Sequence, residues 1–328
     1  MFVGILTLAV AGCSSGNASL PSTAAAAPAS DRASRHQHSW MLGEASSENL
    51  LYISDSVIGG LIVYSYTPPR YKLVGVLTPP SSPTYVCVDN EQNVYATNPY
   101  SVIEYQHGAT SPLRILGGID YDNDGCAVNP LTDTLAVSTF NGYPHPGEVA
   151  FFNKSRARHT TIVLQPPYNY PGACAYDGSG NFFVAADVPG TSPRFALLEL
   201  PKGTKKFVEV TPSKQLDGVG GMAWDGKYLD IADYSKDAIY QFSIAGQNLT
   251  LQGTIALDRS YRIGGFFIDG STLIAPANSK PPTSDPDNPR LINLYNYPAG
   301  GAKTGEIRGV SSPASVVVSL AKTEKRKR

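Results

Sequence analysis

The sequence predicts an all-β protein in which one four-strand unit repeats around an axis. That is a six-bladed β-propeller, four antiparallel strands per blade, its ring closed by a C-terminal strand. Three observations carry the expectation. Strand-like segments recur every 40 to 48 residues, the composition is that of turns and strands, and a strand absent from the first unit reappears near the end of the chain.

Among 328 residues, 31 are Gly, 26 Pro and 19 Tyr, while only 3 are Met. Gly and Pro supply turn conformations and Tyr suits a pleated surface. No internal segment keeps the 3.6-residue apolar period of a long helix. Hydrophobic residues make up 42%, enough for a sizeable core. The formal net charge of -1 excludes a binder that relies on a basic face, so no nucleic-acid partner is expected.

Each unit opens with a small, apolar strand ending in an acidic or amide residue: Val86–Asp89, Cys126–Asn129, Cys174–Asp177, Met222–Asp225 and Phe266–Asp269. Asp, Asn and Gly follow, as in Asp177-Gly178-Ser179-Gly180, the residues hairpin turns demand. Second strands begin at Leu51, Val94, Leu135, Phe182, Leu229 and Leu273. Third strands carry alternating aromatic residues, as in Ile239-Tyr240-Gln241-Phe242. A more polar fourth strand finishes each unit, for example Phe207–Val210. The strand-ending residues lie 40, 48, 48 and 44 apart, the length of a propeller blade. One such unit cannot bury its faces alone, so the units must pack around an axis.

The first unit lacks its opening strand. Pro313-Ala314-Ser315-Val316-Val317-Val318 mirrors Pro83-Thr84-Tyr85-Val86-Cys87-Val88, and both follow a Ser-Ser pair. Borrowing that strand would close the ring and hide two sheet edges.

The phrase Leu51-Tyr52-Ile53-Ser54-Asp55 through Leu61-Ile62-Val63-Tyr64 fits the NHL pattern, as does Leu229 to Asp233 followed by Ala238-Ile239-Tyr240. On these residues the span of about 47–321 resembles the NHL-type and gluconolactonase-like six-bladed propellers of bacterial envelopes. The resemblance implies a fold and leaves function to the site.

Residues 1–13 resemble a bacterial lipoprotein signal segment. Phe2 to Ala11 is apolar but short for a membrane span, and Val10-Ala11-Gly12-Cys13 resembles the box in which the Cys13 thiol takes the lipid. The resemblance implies an exported protein, lipid-anchored at the bacterial cell envelope (outer membrane or cell surface), meeting the membrane through that anchor only. Residues 14–46 are expected to form a flexible tether, 47–321 the propeller and 322–328 a solvated basic tail. His36 and His38 fall in the tether and are expected to be solvated. A monomer is expected.

In such a ring, the loops between second and third strands share one face with the loops leading into each new blade, and ligands bind where loops vary over a rigid frame. This upper face should carry Tyr143, His145, Tyr168, Tyr170, Asp187, Asp233, Tyr234 and Arg262 as ligand-binding residues. Asp55, Asn98, Thr139 and Asn278 share the strand-end position of Asp187 and Asp233. An acidic, tyrosine-rich mouth suits a sugar, a polyol or a cation. The competing role for the Asp and Asn residues is to end strands by accepting backbone hydrogen bonds, which covers most of them.

Asp120-Tyr121-Asp122-Asn123-Asp124-Gly125 places carboxylates at alternate positions before a Gly, as a calcium loop does. The twelfth position holds Leu131 rather than a bidentate Glu, and a strand follows instead of a helix, so an EF-hand is excluded. A looser site for Ca2+ or another divalent cation would use Asp120, Asp122, Asp124 and Asp217. The gluconolactonase-like resemblance implies a channel metal held by a first-blade Glu, for which no strand here offers a candidate.

No Gly-x-Ser-x-Gly elbow is present, and of the domain's histidines His107 and His159 fall away from the mouth, leaving only His145 near it. Catalytic residues are therefore not assigned. Cys126 and Cys174 hold equivalent positions on neighbouring inner strands; a disulfide between them is permitted outside the cytosol, but free thiols are preferred, with Cys87 unpaired either way. Asn248-Leu249-Thr250 fits a glycosylation acceptor that a bacterial lipoprotein would not ordinarily use. The leading expectation is a non-catalytic envelope module that binds a small molecule, a glycan or an envelope protein. The alternative is a metal-dependent lactonase or hydrolase using Asp124, Asp217 and Asp233. A third expectation is a purely structural assembly platform.

Overall fold

The computed structural model describes residues 38–119, 122–140, 142, 145–154, 158–188, 190, 195–258, 260–277 and 290–322. Cys13, His36, Asp120, Tyr143, Arg259 and Asn278 lie outside the described residues.

Almost all regular secondary structure in the described chain is strand. The first sheet holds β1 (Trp40–Met41), β2 (Leu50–Asp55), β3 (Gly60–Thr67) and β4 (Arg70–Leu77). Then follow β5 (Tyr85–Val88), β6 (Val94–Asn98), β7 (Ser101–Tyr105) and β8 (Pro112–Leu116). A third group comprises β9 (Asp122–Val128), β10 (Leu135–Phe140), β11 (Glu148–Phe152) and β12 (His159–Val163). Next come β13 (Asn169–Tyr176), β14 (Phe182–Asp187), β15 (Phe195–Leu200), β16 (Val208–Pro212), β17 (Val219–Trp224), β18 (Leu229–Asp233), β19 (Ala238–Ala245) and β20 (Asn248–Ala256). The last are β21 (Phe267–Asp269), β22 (Thr272–Ala277), β23 (Leu291–Asn296), β24 (Gly300–Ile307) and β25 (Pro313–Ser319).

These strands form three four-stranded sheets in meander order (β5 to β8, β9 to β12 and β21 to β24), one five-stranded sheet and one eight-stranded sheet. The eight-stranded sheet is two antiparallel meanders, β13 to β16 and β17 to β20, joined only where β16 runs parallel to β20 at Thr211 and Pro212. In the five-stranded sheet the order is β1-β4-β3-β2-β25, so the C-terminal strand pairs antiparallel with β2, Val316 opposite Ile53 and Val318 opposite Leu51. That is the predicted closure.

Burial follows position in each sheet. Every residue of β2 is buried, because neighbouring sheets cover both faces, and its sequence reads Leu-Leu-Tyr-Ile-Ser-Asp without alternation. The outer strand β20 alternates exposed and covered residues, and reads Asn-Leu-Thr-Leu-Gln-Gly-Thr-Ile-Ala. The inner strands approach so closely that a side chain at Gly221 would strike the Gly264 carbonyl, and one at Gly264 would strike that of Ala314. Only glycine fits at those contacts.

Two features depart from expectation. Residues 40–46, assigned to the tether, are structured: Trp40 and Met41 pair with Val76 and Gly75, a 3-10 turn spans Gly43–Ser47, and Ala45 is fully buried. Trp40 and Met41 add an outer strand to a sheet edge.

The cysteines also pair differently. Cys87 and Cys126 form a disulfide with Cα atoms 6.0 Å apart, and Cys174 is the buried free thiol. Side-chain parity explains it. Cys126 and Cys174 both stand three residues before their strand-ending residue, so each faces the preceding sheet and they cannot meet. Cys87 stands two before Asp89 and faces forward, onto Cys126. Closing a 39-residue separation contributes about 4 kcal/mol to stability.

Candidate functional site

The strand-ending carboxylates and amides act on the backbone first. Asp55 is fully buried; one carboxylate oxygen accepts from the amides of Val57 (3.1 Å) and Ile58 (3.0 Å), the other from those of Ser311 and Ser312. Asn98 accepts from the Ser101 amide at 3.0 Å. Asp233, expected to bind ligand, is buried and repeats the Asp55 pattern, accepting from the Ser235 amide and the Asp217 amide, each at 3.0 Å. It holds the turn and the incoming loop together. Burial and these two hydrogen bonds make Asp233 a cap on the local backbone.

Around that cap the upper face gathers a cluster. The Arg262 guanidinium lies 5.3 Å from the ring centre of Tyr234 and 5.4 Å from that of Tyr261, both within cation–π range. Beside it, Lys236 pairs with Asp217 at 2.6 Å. That contact raises the lysine's pKa through its hydrogen bond to the carboxylate. Gly218 and Gly220 let the loops come together: a side chain at Gly218 would touch Tyr234 and Phe195. Arg262 sits at φ +53°, a left-handed conformation that costs a non-glycine residue free energy and is held by its surroundings.

Tyr170 occupies the equivalent position near the start of β13, also left-handed at φ +43°. Its ring packs edge-on against Phe140 at 4.5 Å. Tyr234 and Tyr170 remain 38% and 39% exposed, large for aromatic side chains held in defined contacts.

The other expected residues fall elsewhere. Tyr168 donates its hydroxyl to Glu209 on the outer strand β16 and packs on the core between sheets, so it sits toward the outer edge and not at the mouth. Asp187 ends β14 opposite Asn169 and Phe195, half-buried, and burial raises its carboxyl pKa. His145 is exposed in the loop before β11. His107 lies between β7 and β8, its Nε2 within 3.0 Å of the Glu48 carbonyl, and burial lowers its pKa.

Of the acidic candidates, Asp124 and Asp217 have described side chains. Asp122 and Asp124 belong to β9, where Asp122 pairs with Phe140 and Asp124 is half-buried. Asp217 is taken up by Lys236 on another part of the ring. Among the described residues no three His, Cys, Asp or Glu side chains converge as a metal-holding group. Neither Asp124, Asp217 nor Asp233 lines the axial cavity between the inner strands. A channel metal held by that trio does not fit this arrangement.

Lys236 and Tyr261 were missed from sequence. Lys236 was legible as the one cation within three residues of Asp233, on the side facing an acidic loop; Tyr261 precedes Arg262 directly.

With the geometry in place, comparison with known proteins gives the class. No family model matches the chain, and no curated protein matches it. Solved structures do. A chain of the nidogen/laminin complex superposes with a TM-score of 0.62 at 12% identity, covering 84% of this chain and 100% of that one. A protein of unknown function from Bacteroides caccae gives 0.60 at 9% identity, with 84% and 100% covered. Hydrazine synthase from Kuenenia stuttgartiensis gives 0.58 at 13%, with 80% and 84% covered. Similarity at this identity shows the fold: the protein is a β-propeller. It assigns no activity.

Proposed function

We propose that this protein is a six-bladed propeller of the NHL-like kind, exported and lipid-anchored at a bacterial envelope, that binds a glycan through its upper face. Six blades follow from counting the two meanders of the eight-stranded sheet separately. Phe183 and Leu197 of one meander share a core cluster with Met222 and Ile231 of the other, as two blades packed face to face would. A disulfide between Cys87 and Cys126 is in keeping with an oxidising compartment, and Cys13 in its box would supply the anchor.

The observation that carries the binding role is the Tyr261–Arg262–Tyr234 stack, presented beside the Asp217–Lys236 pair. Aromatic faces cover the apolar side of a sugar ring, and the guanidinium, carboxylate and ammonium groups offer donors and acceptors for its hydroxyls. A rigid ring carries this surface, so little conformational entropy is lost on binding.

Binding of the full chain to an array of bacterial envelope glycans, followed by titration of the best ligand, tests the role. Replacing Arg262 or Tyr234 by Ala should weaken binding by about tenfold or more, roughly 1.4 kcal/mol or above. Unchanged affinity in both folded variants would remove this surface from the account. Recovery of a protein partner with no glycan signal would replace the glycan with a protein ligand.

A further inference from the structure

The inner strands leave a cavity of about 250 Å3 along the axis. Its inner end is closed by Tyr85. From β5, the Tyr85 ring reaches the space that a side chain at Gly265 would fill, and its hydroxyl oxygen takes a hydrogen bond from the Met222 backbone. Tyr85 therefore crosses the axis. The repeat register makes room for it: four positions before the strand-ending residues stand Tyr85, Gly125, Ala173, Gly221 and Gly265, with Ser315 in the matching place of β25. Five small residues surround one tyrosine.

Beyond Tyr85 the lining runs toward the strand ends. Cys87, Cys126 and Cys174 are buried, Val88, Trp224 and Phe267 half-buried, and Pro130 exposed, so the mouth lies on the face opposite the Arg262 cluster. Among the described residues no charged side chain lines it. The lining strands are sheet edges, whose axis-facing amides and carbonyls lie outside the ladders.

We infer that this cavity binds a small uncharged aromatic molecule of one or two rings. An apolar cavity of roughly 150 Å3 already accepts benzene, while pockets for drug-sized ligands begin at about 300 Å3. This one lies between. Tyr176, Trp224 and Phe267 offer aromatic edges and faces, and the strand-edge backbone can meet one polar substituent. A charged ligand would lose its water here without gaining a partner. The site stands apart from the glycan surface and does not depend on it.

Saturation-transfer NMR on the full chain tests the inference, with indole as the probe and glucose as the polar control. Indole should show saturable transfer that glucose does not. Ala223→Leu, at a residue that lines the cavity, should weaken indole binding by about tenfold or more. Ala127→Leu, on a different inner strand, provides a second filled variant should Ala223→Leu fail to fold, and thermal melting establishes that the variant used is folded. Arg262→Ala should leave indole binding unchanged. The inference is overturned if indole gives no transfer with the folded wild type, if a folded filled variant binds it equally well, or if Arg262→Ala abolishes it.

Discussion

Deleting residues 311–328 is expected to unfold the ring rather than trim a tail. Val316, Val317 and Val318 are each 2% exposed, and burying each contributes about 2 kcal/mol. Their loss, about 6 kcal/mol, approaches the whole stability of an ordinary domain. The segment also ties three parts of the ring together. The Ser315 amide donates to the Ser54 hydroxyl at 3.0 Å, and the Val316 amide to the Gly265 carbonyl at 3.0 Å. The Ser319 hydroxyl donates to the Gln92 carbonyl at 2.7 Å, and the Ala321 amide to the Asn49 side chain at 2.9 Å. Without them β2 becomes an open edge beside the last blade. Chemical denaturation should show loss of the cooperative transition in the deleted protein. A variant truncated only after Leu320 should keep a transition, because β25 remains.

Asp230→Asn is expected to stabilise the protein at neutral and alkaline pH, although Asp230 is fully buried and hydrogen-bonded. The Tyr297 hydroxyl lies 2.6 Å from Asp225 Oδ2 and 2.6 Å from Asp230 Oδ2, and accepts from Gln241 Nε2 at 2.8 Å. One hydroxyl carries one proton. It can donate to a single carboxylate, so the other close contact requires a carboxylic acid that donates back. Asp225 already accepts the amides of Lys227, at 2.7 Å, and Tyr228. Asp230 is the acid. Burial, aided by the nearby Asp225 charge and opposed by the Tyr297 hydrogen bond, pushes its pKa from 3.8 up to about 7.

The folded protein thus keeps a proton that the unfolded chain releases above about pH 4. The stability it contributes is complete below that pH, declines as pH rises toward 7, and is gone above it, a difference of about 4 kcal/mol. Asn holds the same shape and donates to Tyr297 without ionising. The gap between variant and wild type should widen from under about 1 kcal/mol at pH 4 to about 4 kcal/mol at pH 8, read from denaturant midpoints across that range. Parallel profiles would show that Asp230 does not hold the proton.

Much of the fold was legible because the strands obey short-range rules. The second strands begin at or within a residue of the predicted starts, since Val, Leu and Ile runs between Gly- and Asp-rich turns have few alternatives. The matching phrases at Pro83 and Pro313 identified the closing strand for the same reason. Trp40 and Met41 were hidden by two residues of signal, too short for any pattern to register. The Cys87–Cys126 disulfide runs against the expectation of free thiols with Cys87 unpaired, because strand position alone was compared, although the parity of Cys87 against Cys126 was written in the sequence. At the site, Asp and Asn at strand ends looked alike whether they cap a turn or face a ligand; only the amides at Asp55 and Asp233 distinguish the roles. The Tyr297–Asp230 contact joins residues 67 apart on neighbouring blades, beyond what a repeat pattern conveys.

Amide hydrogen exchange across β25, compared with its partner strand β2, tests the closed ring most directly. A strand that closes the ring opens only when the whole domain does, so the amides of Val316 and Val318 should exchange as slowly as those of Leu51 and Ile53, with the same dependence on denaturant. Exchange of β25 at rates typical of an exposed terminal segment, with β2 still protected, would contradict the closed ring.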